Sequence, residues 1–333
     1  MKKRQILNKY KKILVTGGAG FIGSHLVEEL LALGKKVVVF DNISTGTKRN
    51  IPKRVKFIKG DLRQQKEISQ ATRGVDLVFH LAANINGSIS VNDPAFDFQV
   101  NASGTLNTLK ASLDAKIKKF IYISSAGVYG KPLYSPIDEK HTTEFYLPYG
   151  GSKYIGEVYC YVFYRTYNLP MVIARPFCVY GKRENPRFSL VEVSRYLRWH
   201  LNKKPIQIVG DPNKKIRDFV HVSDVVKGLI LLADKGKAGE PYNIGSGEET
   251  SMKKLVEIIG QAMGQKPKIK IINLKEDTYS LVADISKIKS IGYRPKIFIK
   301  EGVRQLVKEL GKNPKFPSGN TIFKIGQKSE TNL

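Results

Sequence analysis

Short apolar runs alternate with helical patterns through the first half of the chain. Ile13–Val15, Val37–Phe40, Val55–Lys59, Leu77–Leu81, Phe120–Ser124 and Met171–Arg175 read as strands. Runs of three to five residues with few polar breaks suit strands buried on both faces of a sheet. Between them the apolar spacing lengthens to that of helices, one opening at Phe21 and others over Leu62–Ala71, Phe96–Ala115 and Tyr149–Tyr167. This alternation predicts an α/β fold with a parallel, doubly wound sheet and helices on both faces. Ligands of such sheets collect beyond the carboxyl ends of the strands. Gly17, Asp41, Asp61, Ala82, Ser125 and the Arg175 segment all fall there.

The second half is less regular. Leu190–Leu201 and Lys253–Met263 read as helices, Ile206–Val209 and Lys268–Ile272 as short strands, and Gly245-Ser246-Gly247 as a turn, with a further helix starting near Val222. The expected organisation is a dinucleotide-binding domain of residues 1–176 plus about 217–244. A smaller mixed α/β lobe for substrate takes about 177–216 and 245–311, and 312–333 form a polar tail with Pro314, Pro317 and Gly319.

The stretch Lys12–Leu26, KILVTGGAGFIGSHL, carries the first chemistry. Gly17, Gly20 and Gly23 stand three apart where a strand turns directly into a helix. A backbone pressed against a pyrophosphate has no room for side chains, and the helix behind it offers free N–H groups and a partial positive charge. Asp41, at the tip of the next strand, lies at the distance where an acid takes a ribose 2′-hydroxyl. A carboxylate there repels the extra phosphate of NADP, so NAD is the expected cofactor.

Composition narrows the class. The 333 residues are 41% hydrophobic, enough for a substantial core. Two cysteines, Cys160 and Cys178, are too few for a disulfide framework or a metal site, which fits a reducing, cytoplasmic setting. MKKRQ at the start is basic like a signal peptide, but the apolar stretch behind it is the glycine turn. No apolar run reaches the length of a membrane span. The formal charge of +27 would suit nucleic acid or capture of an anionic small molecule. The lysines are spread along the chain rather than gathered on one element, so nucleic acid is not the expected partner.

Phe120–Ser124 runs into Ser125-Ala126-Gly127-Val128-Tyr129-Gly130, and Tyr149-Gly150-Gly151-Ser152-Lys153 opens a helix further on. Tyrosine and lysine four apart share a helical face. An ammonium beside a phenol, with a nicotinium charge nearby, is expected to lower the phenol's pKa toward working pH. Tyr149 could then take a proton from a sugar hydroxyl while hydride leaves the same carbon, with Ser125 holding the reacting oxygen.

These motifs, in order from residue 12 to about 310, resemble the NAD-dependent epimerase/dehydratase family, the extended short-chain dehydrogenases acting on nucleotide sugars. The further segments are DNISTG (41–46), GDL (60–62), HLAA (80–83), VNASGTLN (100–107), RPFCVYG (175–181), IRDFVHVSDV (216–225), YNIGSGEETS (242–251) and ADISK (283–287). The pattern is most similar to the UDP-galactose and UDP-N-acetylglucosamine 4-epimerases. The resemblance implies a cofactor set of Gly17, Gly20, Phe21, Ile22, Gly23, Asp41, Asn42, Asp61, Leu62, Leu81, Ala82, Ala83, Asn101, Tyr149 and Lys153. In it Asp61 and Leu62 flank the adenine and Asn101 lies near the nicotinamide half. It implies Tyr149, Lys153 and Ser125 as catalytic residues, and Ser125, Tyr149, Cys178, Arg217, Lys275 and Leu281 as substrate contacts, with Arg217 on the substrate diphosphate. Asp218 and Asp224 are expected to cap or pair around the helix starting near Val222, and His221 to be packed or exposed rather than catalytic. The dTDP-glucose-type 4,6-dehydratases place Thr-Asp-Glu where this chain has Ser125-Ala126, which favours epimerisation.

Two departures bear on substrate. The family usually has asparagine at Cys178, and an arginine at Leu274, three residues before Asp277; Lys275 is the candidate to supply that charge, without the bidentate fork. Leu281 falls where epimerases gate the sugar's C2 substituent and leaves N-acetyl sugars possible. The resemblance also implies a homodimer joined through the helices Phe96–Ala115 and Tyr149–Tyr167. The alternatives are another nucleotide-sugar reaction of the family (dehydratase, decarboxylase or reductase) or a silent NAD-binding regulator. The last would be expected to lack Tyr149 or Lys153, and both are present.

Overall fold

The computed structural model describes residues 6–85, 87–188, 191–273 and 278–311. The tail expected over 312–333 and the positions Leu274, Lys275 and Asp277 lie outside the described residues.

Six strands, β1 (Lys12–Thr16), β2 (Lys36–Asp41), β3 (Lys56–Lys59), β4 (Leu77–His80), β5 (Lys119–Ile123) and β6 (Met171–Pro176), join Glu240–Ile244 in one seven-stranded sheet. Its order is β3-β2-β1-β4-β5-β6 with Glu240–Ile244 at the edge, and every pairing is parallel. Side chains of successive strand residues point to opposite faces. Ile13, Val15, Val39, Phe79 and Ile121 therefore pack on one face with the helices Phe21–Ala32 and Val222–Lys235. Leu14, Phe40, Val78, Phe120 and Tyr122 pack on the other, with Gln65–Thr72, Gly104–Asp114 and Pro148–Tyr167. The strand order reverses between β1 and β4, which opens a crevice above their carboxyl ends.

The helix expected over Phe96–Ala115 is interrupted. Pro94–Phe98 and Gly104–Asp114 flank a π-helical turn at Gln99–Ser103. A π-turn carries one extra residue and redirects the side chains within it, and Asn101 is one of them.

A third cluster, including Tyr180, Tyr196, Trp199, Ile206, Phe219, Leu255 and Val303, builds a smaller lobe. It contains the helices Glu192–Leu201, Met252–Met263 and Ile299–Leu310 and three small sheets. Cys178–Tyr180 pairs with Phe219–His221, and Ile206–Val209 with Ile269–Ile272; Ile216–Arg217 lies between Thr250–Ser251 and Ser280–Leu281. No helix among the described residues is long and apolar enough to cross a membrane.

Candidate active site

A cleft of about 630 Å³ opens over the strand-order reversal, between the large sheet and the smaller lobe. Gly17, Gly20, Phe21, Ile22, Gly23, Asp41, Asn42, Asp61, Leu62, Leu81, Ala82 and Ala83 line it. Ser125, Tyr149, Lys153, Cys178 and Leu281 line it as well.

The glycine turn fits a dinucleotide. A Cβ on Gly17 would lie 2.7 Å from the Ala82 nitrogen, and one on Gly23 2.2 Å from the Gly17 oxygen, so the chain folds on itself with no side chain between. Gly17 has φ +71°, which other residues rarely adopt. The helix behind the turn has no side-chain cap and no acid in its first turn, leaving its N–H groups available to an anion. Asp41 is anchored by the N–H groups of Ala19 (2.9 Å) and Ile43 (2.7 Å). Burial pushes its carboxyl up against those two hydrogen bonds.

The catalytic candidates line the same cleft. Ser125 follows β5 and caps the short helix Ala126–Tyr129 by accepting from Gly127 N–H (3.1 Å). Tyr149 and Lys153 sit in the first turns of Pro148–Tyr167. Tyr122 of β5 donates its hydroxyl to the Lys153 carbonyl (3.0 Å), and the ammonium lies 4.4 Å above the Tyr122 ring.

The electrostatics correct the expected tuning. Burial pushes the Tyr149 phenol up rather than down, its hydrogen bond with Ser125 opposes that shift, and Asp97 adds to it. Lys153, buried at 2% exposure, falls to about 8 for the same reason. Desolvation is the largest cause of both shifts.

Asn101, expected near the nicotinamide half, is not among the residues that line the cleft. Its carbonyl accepts from Asn84 N–H (2.8 Å), and its amide nitrogen meets the Asn84 carbonyl, Asp97 Oδ1 and Ser152 Oγ at 3.0–3.1 Å. Asp97 also takes Asn84 Nδ2 (2.7 Å) and the Ser152 hydroxyl (2.5 Å). The π-turn thus ties the loop after β4 to the helix carrying Tyr149 and Lys153. Asp97, Asn84 and Ser152 were missed in the sequence, where no spacing marks them as partners.

A second buried chain runs beneath the cleft. Thr16 Oγ1 accepts from Ala82 N–H (3.2 Å) and donates to His80 Nδ1 (2.9 Å); His80 Nε2 then donates to Thr105 Oγ1 (3.1 Å), which donates to the Asn101 carbonyl (2.6 Å). Only the Nε2-protonated neutral ring satisfies this order, and burial lowers the His80 pKa to about 3.

Arg217 is buried rather than a surface arginine. Its Nη1 donates to the carbonyls of Ile216 (2.9 Å) and Tyr279 (2.7 Å), and the guanidinium lies 4.5 Å from the Tyr279 ring centre. Cys178 is a free thiol in the cleft wall, pushed up to about 12 by burial and by Glu192. Asp218 binds not the helix but the turn at Ser246–Gly247, together with Ala283 N–H. Asp224 accepts from Lys296 and Ile297 N–H and pairs with Lys227. His221 caps the helix Val222–Lys235 by accepting from Ser223 N–H. Among the described residues no cluster of His, Cys, Asp or Glu could hold a metal ion.

A doubly wound sheet, a glycine turn under a bare helix N-terminus and a Ser–Tyr pair over the same cleft define a dinucleotide-dependent enzyme. The sequence model of the NAD dependent epimerase/dehydratase family matches residues 13–245, and the chain belongs to that family. NAD is accordingly the cofactor the cleft holds. The chain is 38% identical over 312 residues to a putative UDP-glucose 4-epimerase of Methanocaldococcus jannaschii, covering 90% of this chain and 99% of that protein. Its fold superimposes on UDP-glucose 4-epimerase with UDP-glucose from Thermotoga maritima at TM-score 0.85 and 34% identity, over 89% of this chain and 97% of that one. It superimposes on UDP-N-acetylglucosamine 4-epimerase of Methanobrevibacter ruminantium, in complex with UDP-N-acetylmuramic acid, at TM-score 0.84 and 31% identity, over 90% and 97%. Relatives at 30–32% identity are named UDP-glucuronic acid decarboxylase and dTDP-D-glucose 4,6-dehydratase. The chain is thus similar to nucleotide-sugar 4-epimerases within a family of several reactions.

Proposed function

We propose that the protein is an NAD-dependent nucleotide-sugar 4-epimerase acting on a UDP-hexose or UDP-N-acetylhexosamine through a transient 4-keto sugar. The observation that supports this reading is the convergence of Ser125, Tyr149 and Lys153 on the same cleft that the glycine turn lines. When bound in the cleft, NAD would supply reversible hydride-acceptor chemistry for sugar C4. Tyr149 takes the proton of the C4 hydroxyl and gives it back, Ser125 holds that oxygen, and Lys153 keeps a cation beside the phenol. Asp41 takes the adenosine ribose, and Asp61 and Leu62 flank the adenine. Cys178, Leu281 and Arg217 belong to the substrate side, and Leu281 is small enough to admit an N-acetyl group.

A second reading, another reaction of the same family, draws on the decarboxylase and dehydratase relatives and on Cys178, which cannot donate as the usual amide does. NMR of a nucleotide-sugar panel incubated with the protein and no added reductant separates the two. A C4 epimer from UDP-galactose or UDP-N-acetylglucosamine supports the first, while a deoxy-keto or decarboxylated product would replace it.

The proposed assembly is a homodimer. Phe98, Val158, Tyr159 and Val162 are exposed on the two helical segments next to the active site, and the last three share one stripe of Pro148–Tyr167. Light scattering should give twice the chain mass for the wild type and the monomer for Val162→Glu; a monomeric wild type refutes the assembly.

A further inference from the structure

The segment that leaves the sheet region after Cys178–Tyr180 does more than lead into the smaller lobe. It fastens to the glycine-turn side of the cofactor cleft at three points. The Lys182 backbone carbonyl accepts from His25 Nε2 (3.0 Å), Arg183 Nη2 binds Glu28 Oε1 (2.5 Å), and Asn185 Nδ2 donates to the Thr45 carbonyl (2.7 Å). His25 and Glu28 belong to the helix behind the glycine turn. The loop bearing Thr45 is itself fixed to that turn, with Thr47 N–H and Asn50 Nδ2 both donating to the Ala19 carbonyl (3.2 and 3.0 Å). Residues far apart in sequence are thus tied to the helix behind the glycine turn and to the loop fixed against that turn.

Arg183 is the odd member of this group. It lines the cleft together with Gly20, Phe21 and Ile22, yet its Nη1 is buried and has no hydrogen-bond partner among the described residues. A buried N–H group with its bond unmade is costly. Its backbone is also held at φ +69°, a conformation a non-glycine residue adopts only under constraint from its surroundings. A strained, partly anchored arginine with a spare donor, beside an uncapped helix N-terminus, matches one ligand chemistry: a diphosphate ester.

We infer that Arg183 donates through Nη1 to the diphosphate of the bound dinucleotide, and that residues 181–186 act as a clasp that retains NAD between turnovers. Glu28 aims the guanidinium, and Asn185 closes the clasp onto the Thr45 loop. The inference rests on NAD occupying the cleft. Its diphosphate is favoured over that of a sugar nucleotide because all three anchors of the clasp lie on the glycine-turn side.

The test compares wild type and Arg183→Met in two ways: NAD retained per chain after gel filtration, and calorimetric titration with ADP, adenosine and UDP. The expected result is a loss of retained NAD and about a tenfold weaker ADP affinity, with adenosine and UDP unchanged. Glu28→Gln keeps the cation and should stay within about twofold of wild type for ADP. If Arg183→Met does not fold, Arg183→Lys serves, with a smaller loss confined to NAD and ADP. Equal weakening of adenosine would mean local collapse, weakening of UDP alone would move the contact to the substrate, and unchanged NAD and ADP would remove it; each overturns the inference. A wild type that binds no NAD would instead overturn the cofactor assignment.

Discussion

Arg175 at the end of β6 grips Glu157, one helical turn beyond Lys153, through two parallel bonds: Nε to Oε1 at 2.9 Å and Nη2 to Oε2 at 2.5 Å. Both side chains are buried, at 5% and 0% exposure. Arg175 Nη1 also binds the Tyr129 hydroxyl (2.9 Å), which donates to Asn243 Oδ1 (2.7 Å). One ion pair thereby joins the catalytic helix, the segment after Ser125 and the last strand of the sheet. Removing one partner leaves the other charge buried and alone. Arg175→Met should cost about 3–5 kcal/mol, measured by urea unfolding, and a loss below about 1 kcal/mol would show that Glu157 finds water or another partner.

Tyr149, in the first turn of Pro148–Tyr167, lines the cleft together with Ser125. Tyr149→Phe keeps the ring and removes only the acid–base group. Turnover should fall by about 10²–10⁴-fold with retained NAD unchanged. Near-normal epimer formation in the NMR assay would assign the proton transfer elsewhere.

Gly23 meets the Gly17 oxygen so closely that even a methyl group must displace the turn. Gly23→Ala should therefore abolish NAD retention while the sheet, whose strands do not touch this position, keeps its circular dichroism. Stoichiometric NAD in that variant would mean that the turn yields more easily than its packing implies.

Burial holds Lys153 at about 8, below the 10.5 of a free lysine. Below about 8 both folded and unfolded chains carry the proton, and the cost of the buried ammonium is constant. Between about 8 and about 10.5 the unfolded chain binds more protons, so this lysine makes the folded state more stable as pH rises through the window. Measured against Lys153→Met by urea unfolding, the wild type should gain about 1–2 kcal/mol between about pH 7.5 and about pH 9.5. A gap that stays flat or runs the other way would place the titration elsewhere.

Much of the site could be read before the fold was seen. The five glycine-turn residues, Asp41, Asp61, Ala82, Ser125, Tyr149 and Lys153 all line one cleft in the structure, because each stands at a strand end or in the first turns of a helix. Asn101 could not be placed this way. Its segment has a continuous helical pattern, and only packing against Asn84, Asp97 and Ser152 reveals the extra π-turn residue. Arg183 likewise carries no motif of its own; its significance depends on Glu28, 155 positions earlier.

What the chain determines locally is what a few consecutive residues can encode. Strand runs, helix spacing, a turn too crowded for side chains and a tyrosine one turn from a lysine are all of this kind. The tertiary structure alone decided the quantities that depend on distant neighbours and on exclusion of water. It set the direction in which the Tyr149 phenol is tuned, the neutral state of His80, the pairing of Glu157 with Arg175 and the fastening of residues 181–186 to the glycine-turn side of the cofactor cleft. Desolvation and long-range pairing come into being only when the lobes and the sheet are packed together, and no window along the sequence contains them.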